Sequence, residues 1–249
     1  MDIENKYGTL EIQKSTIELL KVFSSYAKAN SISYSLVDGS MLGAVRHHGF
    51  IPWDDDVDII VNRHTFNKLI NSDLSKESFC IFKDLWLARI QPKNGNKQEF
   101  VPTIDIEILD KAPSSPFLRI VKLLLVYMMQ GMMKKELNLK KGGIIMKACS
   151  LVTWLMGLPF SYQTKYRWYG RISSLWGGEK YTQCYNTVFD YISVFFDGDV
   201  MDELIEVPFE DMMQPIMSKY DHWLSNRFGD YMTPPKIEDR VPRHNNMNN

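Results

Sequence analysis

Residues 35–61, SLVDGSMLGAVRHHGFIPWDDDVDIIV, gather side chains that could do chemistry. Four aspartates (Asp54, Asp55, Asp56 and Asp58) stand just before or inside a run that reads as a buried β-strand. Alternate residues of a strand share a face, roughly 6.5–7 Å apart. Asp56 and Asp58 therefore project together, while Val57 and Ile59 point into a core. Neighbouring carboxylates repel unless a proton or a cation joins them. Ligands that are all oxygen suit a hard cation such as Mg2+ or Mn2+. A later strand, PTIDIEIL at 102–109, sets a third carboxylate, Asp105, between two isoleucines, and Glu107 on the same face is the alternative ligand.

Upstream, Gly39 and Ser40 follow a strand and open a helix. Backbone N–H groups at a helix start, with a hydroxyl beside them, favour a phosphate. Arg46, one to two turns on, adds positive charge, either as a phosphate contact or as half of an ion pair. Asp54 and Asp55 read as a solvated turn or as support for their neighbours. His47 and His48 read as the surface end of the helix, where imidazolium is mildly favourable.

These residues need elements to hold them. Residues 16–29 have helical spacing, with Leu19, Leu20, Phe23, Tyr26 and Ala27 on one face and Asn30 as a stop. The segment SMLGAVRHHG suits a short helix closed by Gly49. VDIIV is a β-branched strand, and a helix covers RHTFNKLINSDL. FCIFK, LWLARIQ and PTIDIEIL supply three further strands, so a compact core ends near Leu109. A strand, Gly-Ser, a helix, a strand with Asp-x-Asp, then a strand with a third Asp is the layout of a polymerase-β-like nucleotidyltransferase palm. The expected fold class is α+β: a core of that type with a mixed sheet and a largely helical insertion. Its parts are expected at 1–112 (catalytic core), 113–180 (basic helical insertion) and 181–249. The last part completes the catalytic domain through a helix at about 217–228 and a Pro-rich extended end, with a disordered tail.

The 249 residues, 45% hydrophobic and 24% charged, fit a globular protein. The net charge of −1 says little about partners. The polar start MDIENKYGTLEIQK lacks a signal-peptide pattern. Cys80, Cys149 and Cys184 form no CxxC or Cys/His cluster, so they are expected to be buried free thiols in a reducing cytoplasm.

The charge pattern changes in the middle. Residues 117–171 carry ten Lys/Arg against one acid, Glu136. The runs 117–133 and 144–160 are apolar, and charges interrupt each before the ~20 residues of a spanning helix. Arg119, Lys122, Gln130 and Lys134 fall on one stripe of the first run, beside a wide apolar face. Two readings compete: a buried hairpin with snorkelling lysines, or helices lying on an anionic membrane. The near absence of acids favours the second.

At these residues the sequence resembles the LicD family of phosphotransferases, which includes the fukutin-like proteins. VDGSMLGAVRHHGFIPWDDDVDI resembles its signature block. IDIEILD resembles its second block, with Glu-Ile in place of the usual Phe-Pro. VPFEDMMQPIMSKYDHWLSNRFGDYMTPP, followed by RVPRH, resembles its C-terminal block. The zinc-binding cysteines of animal relatives are absent.

The resemblance implies transfer of a phospho-alcohol, usually phosphocholine from CDP-choline and in other relatives from CDP-ribitol or CDP-glycerol. The acceptor would be a hydroxyl of a lipopolysaccharide, teichoic acid or other surface glycan, with CMP leaving. Asp56 and Asp58 would hold the metal, Asp105 would be the third ligand or the general base, and Gly39, Ser40 and Arg46 would hold phosphates. A choline pocket could draw on Trp53 first, then Trp86, Tyr185 or Tyr231. The implied partners are a CDP-alcohol, a glycan or lipid-linked glycan, and an anionic membrane at the cytoplasmic face, with no nucleic acid. The rival readings are a true nucleotidyltransferase using NTP and a non-catalytic scaffold for glycan assembly.

Overall fold

A computed structural model describes residues 7–93, 101–137, 143–185 and 195–242. Among them are seven α-helices: α1 Leu10–Ala29, α2 Asp38–His47, α3 Arg63–Ile70, α4 Pro116–Met133, α5 Ile144–Gly157, α6 Tyr162–Ser173 and α7 Tyr220–Phe228. Nine strands accompany them: β1 Ser35–Leu36, β2 Val57–Asn62, β3 Phe79–Asp84, β4 Leu87–Pro92, β5 Ile104–Ala112, β6 Tyr181–Cys184, β7 Phe195–Asp197, β8 Leu204–Phe209 and β9 Met212–Met217. The class is mixed α and β, with a mixed sheet.

The chain divides into two compact units. The first comprises Met1–Phe82, Ala88–Ile108 and Val200–Asn249, and the second Lys83–Leu87 and Leu109–Asp199. The insertion was expected to end at 180. Instead β6 and β7 belong with the helices, because β6 pairs antiparallel with Leu109–Ala112 of β5 and with β7. The disordered tail expected at 243–249, which includes His244, lies outside the described residues, as do Lys140 and Lys141.

In the first unit the strand order is β3-β4-β5-β2-β1-β9-β8. β1 is antiparallel to β2 and parallel to β9, with Leu36 opposite Ile216. Val57, Ile59, Ile60 and Val61 of β2 are all fully buried, as expected of a strand covered on both faces. α1 buries Ile12, Thr16, Leu19, Leu20, Phe23, Tyr26 and Ala27. It starts six residues earlier than expected, because only Ile12 of its first turns faces inward and the polar residues around it mask the period. Asn62 caps α3 by accepting from Thr65 N–H, and that helix ends at Ile70, not 74.

Two turns differ from the sequence reading. His48 closes α2 in the left-handed region (φ 59°), so Gly49 is not the cap. Gly49 provides room instead, since a Cβ there would strike the Glu210 carboxylate. The residues read as a turn before α7 form a β-hairpin, β8–β9, around Glu210 and Asp211. Pro208 and Pro215 obscured both strands, because a proline within a run argues against a strand. The hairpin matters to the site: Glu210 N–H donates to His48 O (2.8 Å), and Phe50 N–H donates to Glu210 Oε1 (2.8 Å).

In the second unit, α4 buries polar as well as apolar side chains. Polar residues of α4 face inward: Lys122 is fully buried, with Nζ donating to Lys111 O (3.0 Å) above the Tyr185 ring (4.3 Å). Arg119 lies over Tyr181 (4.6 Å) and Phe195 (4.2 Å), and Gln130 Nε2 donates to Tyr185 O. Arg119, Lys122 and Gln130 of the expected basic stripe are therefore packed against protein, while Phe117, Ile120 and Leu124 are exposed. Inside, Val126, Met129, Met132 and Met133 pack with Tyr169 and Tyr185. α5 stops at Gly157, which meets the Met132 backbone, and a separate helix, α6, follows. The cysteines are free, but Cys149 is exposed and Cys80 half-buried; only Cys184 is buried as expected.

Gly43 of α2 lies against the backbone of the following loop, where a Cβ would strike the Gly49 carbonyl and come within 3.3 Å of Ile51 N. Gly43→Ala should cost about 1–3 kcal/mol of unfolding free energy in urea titration. An unchanged midpoint would contradict this close approach.

Candidate functional site

Asp58 is clamped through its backbone. Its N–H donates to Ser40 Oγ (2.8 Å), and its carbonyl accepts from Val37 N–H (3.1 Å). The start of α2 is thereby fixed to β2. Ser40, expected at a phosphate, uses its hydroxyl oxygen for this clamp. Gly39 also has a different surrounding from the one expected: a Cβ there would lie 2.8 Å from Asp54 Oδ2. The Asp54 carboxylate thus rests against the helix start that was read as a phosphate site.

The acidic loop is held from α1 and the turn before it. Gln13 Nε2 donates to Asp54 O (2.7 Å) and Ile51 O (3.2 Å), and Thr9 Oγ1 donates to Pro52 O (2.8 Å). One carboxylate oxygen each of Asp54, Asp55 and Asp56 lies within 4.8 Å of the others. Asp55 is buried, so the solvated turn expected there is not found.

Asp58 has its carboxyl pushed well above the usual range. Withdrawal from water is the largest cause, followed by the charges of Asp56, Asp105, Asp38 and Glu107. Part of the residue remains accessible, and the charges of four other carboxylates act on it. Asp105 and Glu107 share a face of β5 and both act on Asp58, but their partners differ. Asp105 Oδ1 accepts from Arg89 Nε (2.8 Å), from the residue opposite it on β4. Glu107 Oε1 lies 3.6 Å from Arg227 Nη2.

Arg227 also pairs with Asp38 Oδ2, while Trp223 Nε1 donates to Asp38 Oδ1 (2.9 Å). Asp38 has a positive φ of 49° at the start of α2. Asp38, Trp223 and Arg227 were not among the residues expected at the site. The available signal was the i, i+4 spacing of Trp223 and Arg227, which sets both on one face of α7.

Arg46 donates from Nη1 to Tyr231 O (2.6 Å). Burial and the nearby Arg240 lower its pKa. Arg240 donates to Pro235 O and lies 5.2 Å over the Trp53 ring, and His47 meets the same ring edge-on. Burial lowers the His47 pKa, and Arg46, Arg240 and His48 lower it further. Neither Arg46 nor Arg240 has an ion-pair partner among the described residues. His47 is therefore part of a half-buried cationic cluster, not a plain surface helix end. Of the choline candidates, Trp53 already carries a cation on its ring. Tyr185 is a core residue, Trp86 packs against the same core, and Tyr231 donates to Asp221 Oδ1 (2.7 Å).

The sequence model described as the LicD/FKTN/FKRP nucleotidyltransferase domain matches residues 31–94, which hold α2, β2 and the whole acidic loop. The chain is also 24% identical to the lipopolysaccharide cholinephosphotransferase LicD of Haemophilus influenzae, over 94% of this chain and 95% of that protein. Residues 31–94 thus match a LicD-type domain, in a chain similar to a LicD enzyme along nearly all of its length. Uncharacterized proteins of Rickettsia prowazekii and Rickettsia typhi are 47% identical over 45 residues, which is 18% of this chain and 17% and 15% of theirs. The Haemophilus match runs nearly end to end in this chain and includes the second unit.

The raised Asp58 pKa gives a signed prediction. A buried carboxyl with a raised folded-state pKa stabilises fully below its unfolded value of 3.8, and that contribution is lost as pH rises towards the folded-state value. In chelator-treated buffer, Asp58→Asn should match wild type near the low end of this window. At pH 8 it should be more stable by about 1 kcal/mol or more. Denaturant titration at both pH values checks this; equal stability at pH 8 would contradict it.

Proposed function

We propose that the chain is a metal-dependent phosphotransferase. It moves a phospho-alcohol, foremost phosphocholine from CDP-choline, to a hydroxyl of a cell-surface glycan and releases CMP. The observation that carries this reading is the concentration of acid around β2: Asp54, Asp55 and Asp56 lie close together, and four carboxylate charges act on Asp58. The full-length similarity to a protein named lipopolysaccharide cholinephosphotransferase supports the choice of group and acceptor class. The core is read as a nucleotidyltransferase (polymerase-β-like) palm.

An all-carboxylate donor set fits a hard divalent cation, and the mutual repulsion at Asp58 is the fit test it passes. Asp56, Asp58 and Asp105 would hold Mg2+ or Mn2+; Asp38 and Glu107 are engaged by Arg227 and support them. When bound, the cation neutralises charge on the donor diphosphate and on leaving CMP. The acceptor oxygen forms a bond to the phosphorus bearing the alcohol as the P–O anhydride bond to CMP breaks. The hydroxyl proton passes to a carboxylate, for which Asp105 is the candidate. Arg46 and Arg240, with carbonyl partners but no acid partner among the described residues, hold donor phosphate oxygens. Ser40 acts by fixing the start of α2 to β2, and Gly39 leaves room for the Asp54 carboxylate. Trp53 is the anchor for Arg240.

The test is product analysis. With Mg2+ and a glycan acceptor, CDP-choline, CDP-ribitol, CDP-glycerol and NTPs are supplied in turn and the released nucleotide is identified. CMP from a CDP-alcohol supports the reading; pyrophosphate from an NTP overturns it in favour of nucleotidyl transfer. Asp58→Asn should lower turnover at least about a hundredfold while the protein stays folded. Near wild-type turnover would remove Asp58 from the metal site.

A further inference from the structure

α4 buries apolar residues over its second half but also buries two polar side chains and exposes three large apolar ones. A helix packed on a water-soluble protein turns its apolar stripe inward and its charges outward. Here Lys122 and Gln130 are inside at 0% and 4% exposure, while Phe117, Ile120 and Leu124 stand outside at 71%, 59% and 62%. Their spacing of i, i+3 and i+7 puts them on one stripe. α5 is exposed and apolar as well: Ile144 and Ile145 are 88% and 80% exposed, and Gly157 is its only buried residue among those described. Exposed apolar faces of this kind mark interaction surfaces.

We infer that α4 and α5 form a surface that docks on an anionic lipid bilayer. Charge selects this occupant. Lys134, Lys147, Arg167 and Arg171 have no ion-pair partner among the described residues. Residues 117–171 as a whole contain a single acid. A second copy of the chain would meet the same excess of positive charge, whereas an anionic leaflet complements it. Among the described residues, Pro116–Met133 is the one helix long and apolar enough to cross a membrane, but 39% of it is buried in protein. At 1.5 Å per residue its 18 residues span about 27 Å. With Lys122 anchored inside and only the outer stripe free, it lies along the bilayer surface and does not pass through.

The test is flotation of the full-length protein with phosphatidylcholine vesicles, with or without phosphatidylglycerol. The protein should float with the anionic vesicles. High salt should reduce binding without abolishing it, because the apolar contribution is not screened. Ile145→Asp and Val152→Asp alter exposed side chains, and each should reduce vesicle binding about tenfold. Nucleotide release with a soluble acceptor should be unchanged in both variants, which keeps this test separate from that of the proposed reaction. Equal flotation on neutral and anionic vesicles would overturn the inference. So would a dimer by light scattering that Ile145→Asp converts to monomers, with no vesicle binding by wild type.

Discussion

The first unit depends on like charges held together. Asp58 sits on a strand whose neighbouring residues are fully buried, and Asp56, Asp105, Asp38 and Glu107 all act on it. Repulsion of this kind opposes folding, and a protein retains it only where something else requires it. Two of these carboxylates are balanced by Arg227 and one by Arg89. The balance is partial, because the Asp58 carboxyl remains pushed up. A divalent cation would offset the remainder, and the proposed chemistry needs a cation at that place.

Holding such a site requires rigid supports, and each comes from a different part of the chain. The Ser40–Asp58 and Val37–Asp58 hydrogen bonds fix α2 to β2. Gln13 of α1 holds the acidic loop by two carbonyls. Glu210, at the tip of the β8–β9 hairpin, ties the backbone just after α2 at both His48 and Phe50. Gly39, Gly43 and Gly49 allow these pieces to approach, since a side chain at any of them would meet a carboxylate or the backbone. α7 contributes Trp223 and Arg227 from nearly two hundred residues away in sequence.

What could be read from sequence was what repeats locally. The alternation in VDIIV, the helical spacing of residues 19–27 and the start of α4 are properties of neighbouring residues, and the elements appear there. The missing pieces depend on distant partners. Nothing near Glu210 announces that its carboxylate accepts from Phe50 N–H, and nothing near Asp38 announces Arg227. Pro208 and Pro215 disguised a hairpin whose pairing depends on β1. Arg46 presented two alternatives in sequence, and its geometry is a third: a carbonyl partner at Tyr231 beside a second arginine. In the second unit the stripe of α4 was found, but its orientation was not. Period alone does not say whether a stripe of Lys, Arg and Gln faces water or a tyrosine-lined interior.

The central claim is that the Asp58 cluster binds a divalent cation. Electron paramagnetic resonance of Mn2+ titrated into wild type and Asp58→Asn tests it most directly, because it needs no donor, acceptor or membrane. The account predicts loss of the free Mn2+ signal on adding wild-type protein, competition by Mg2+, and much weaker loss with the folded Asp58→Asn variant. Equal Mn2+ binding by the two proteins, or none by wild type, would contradict it.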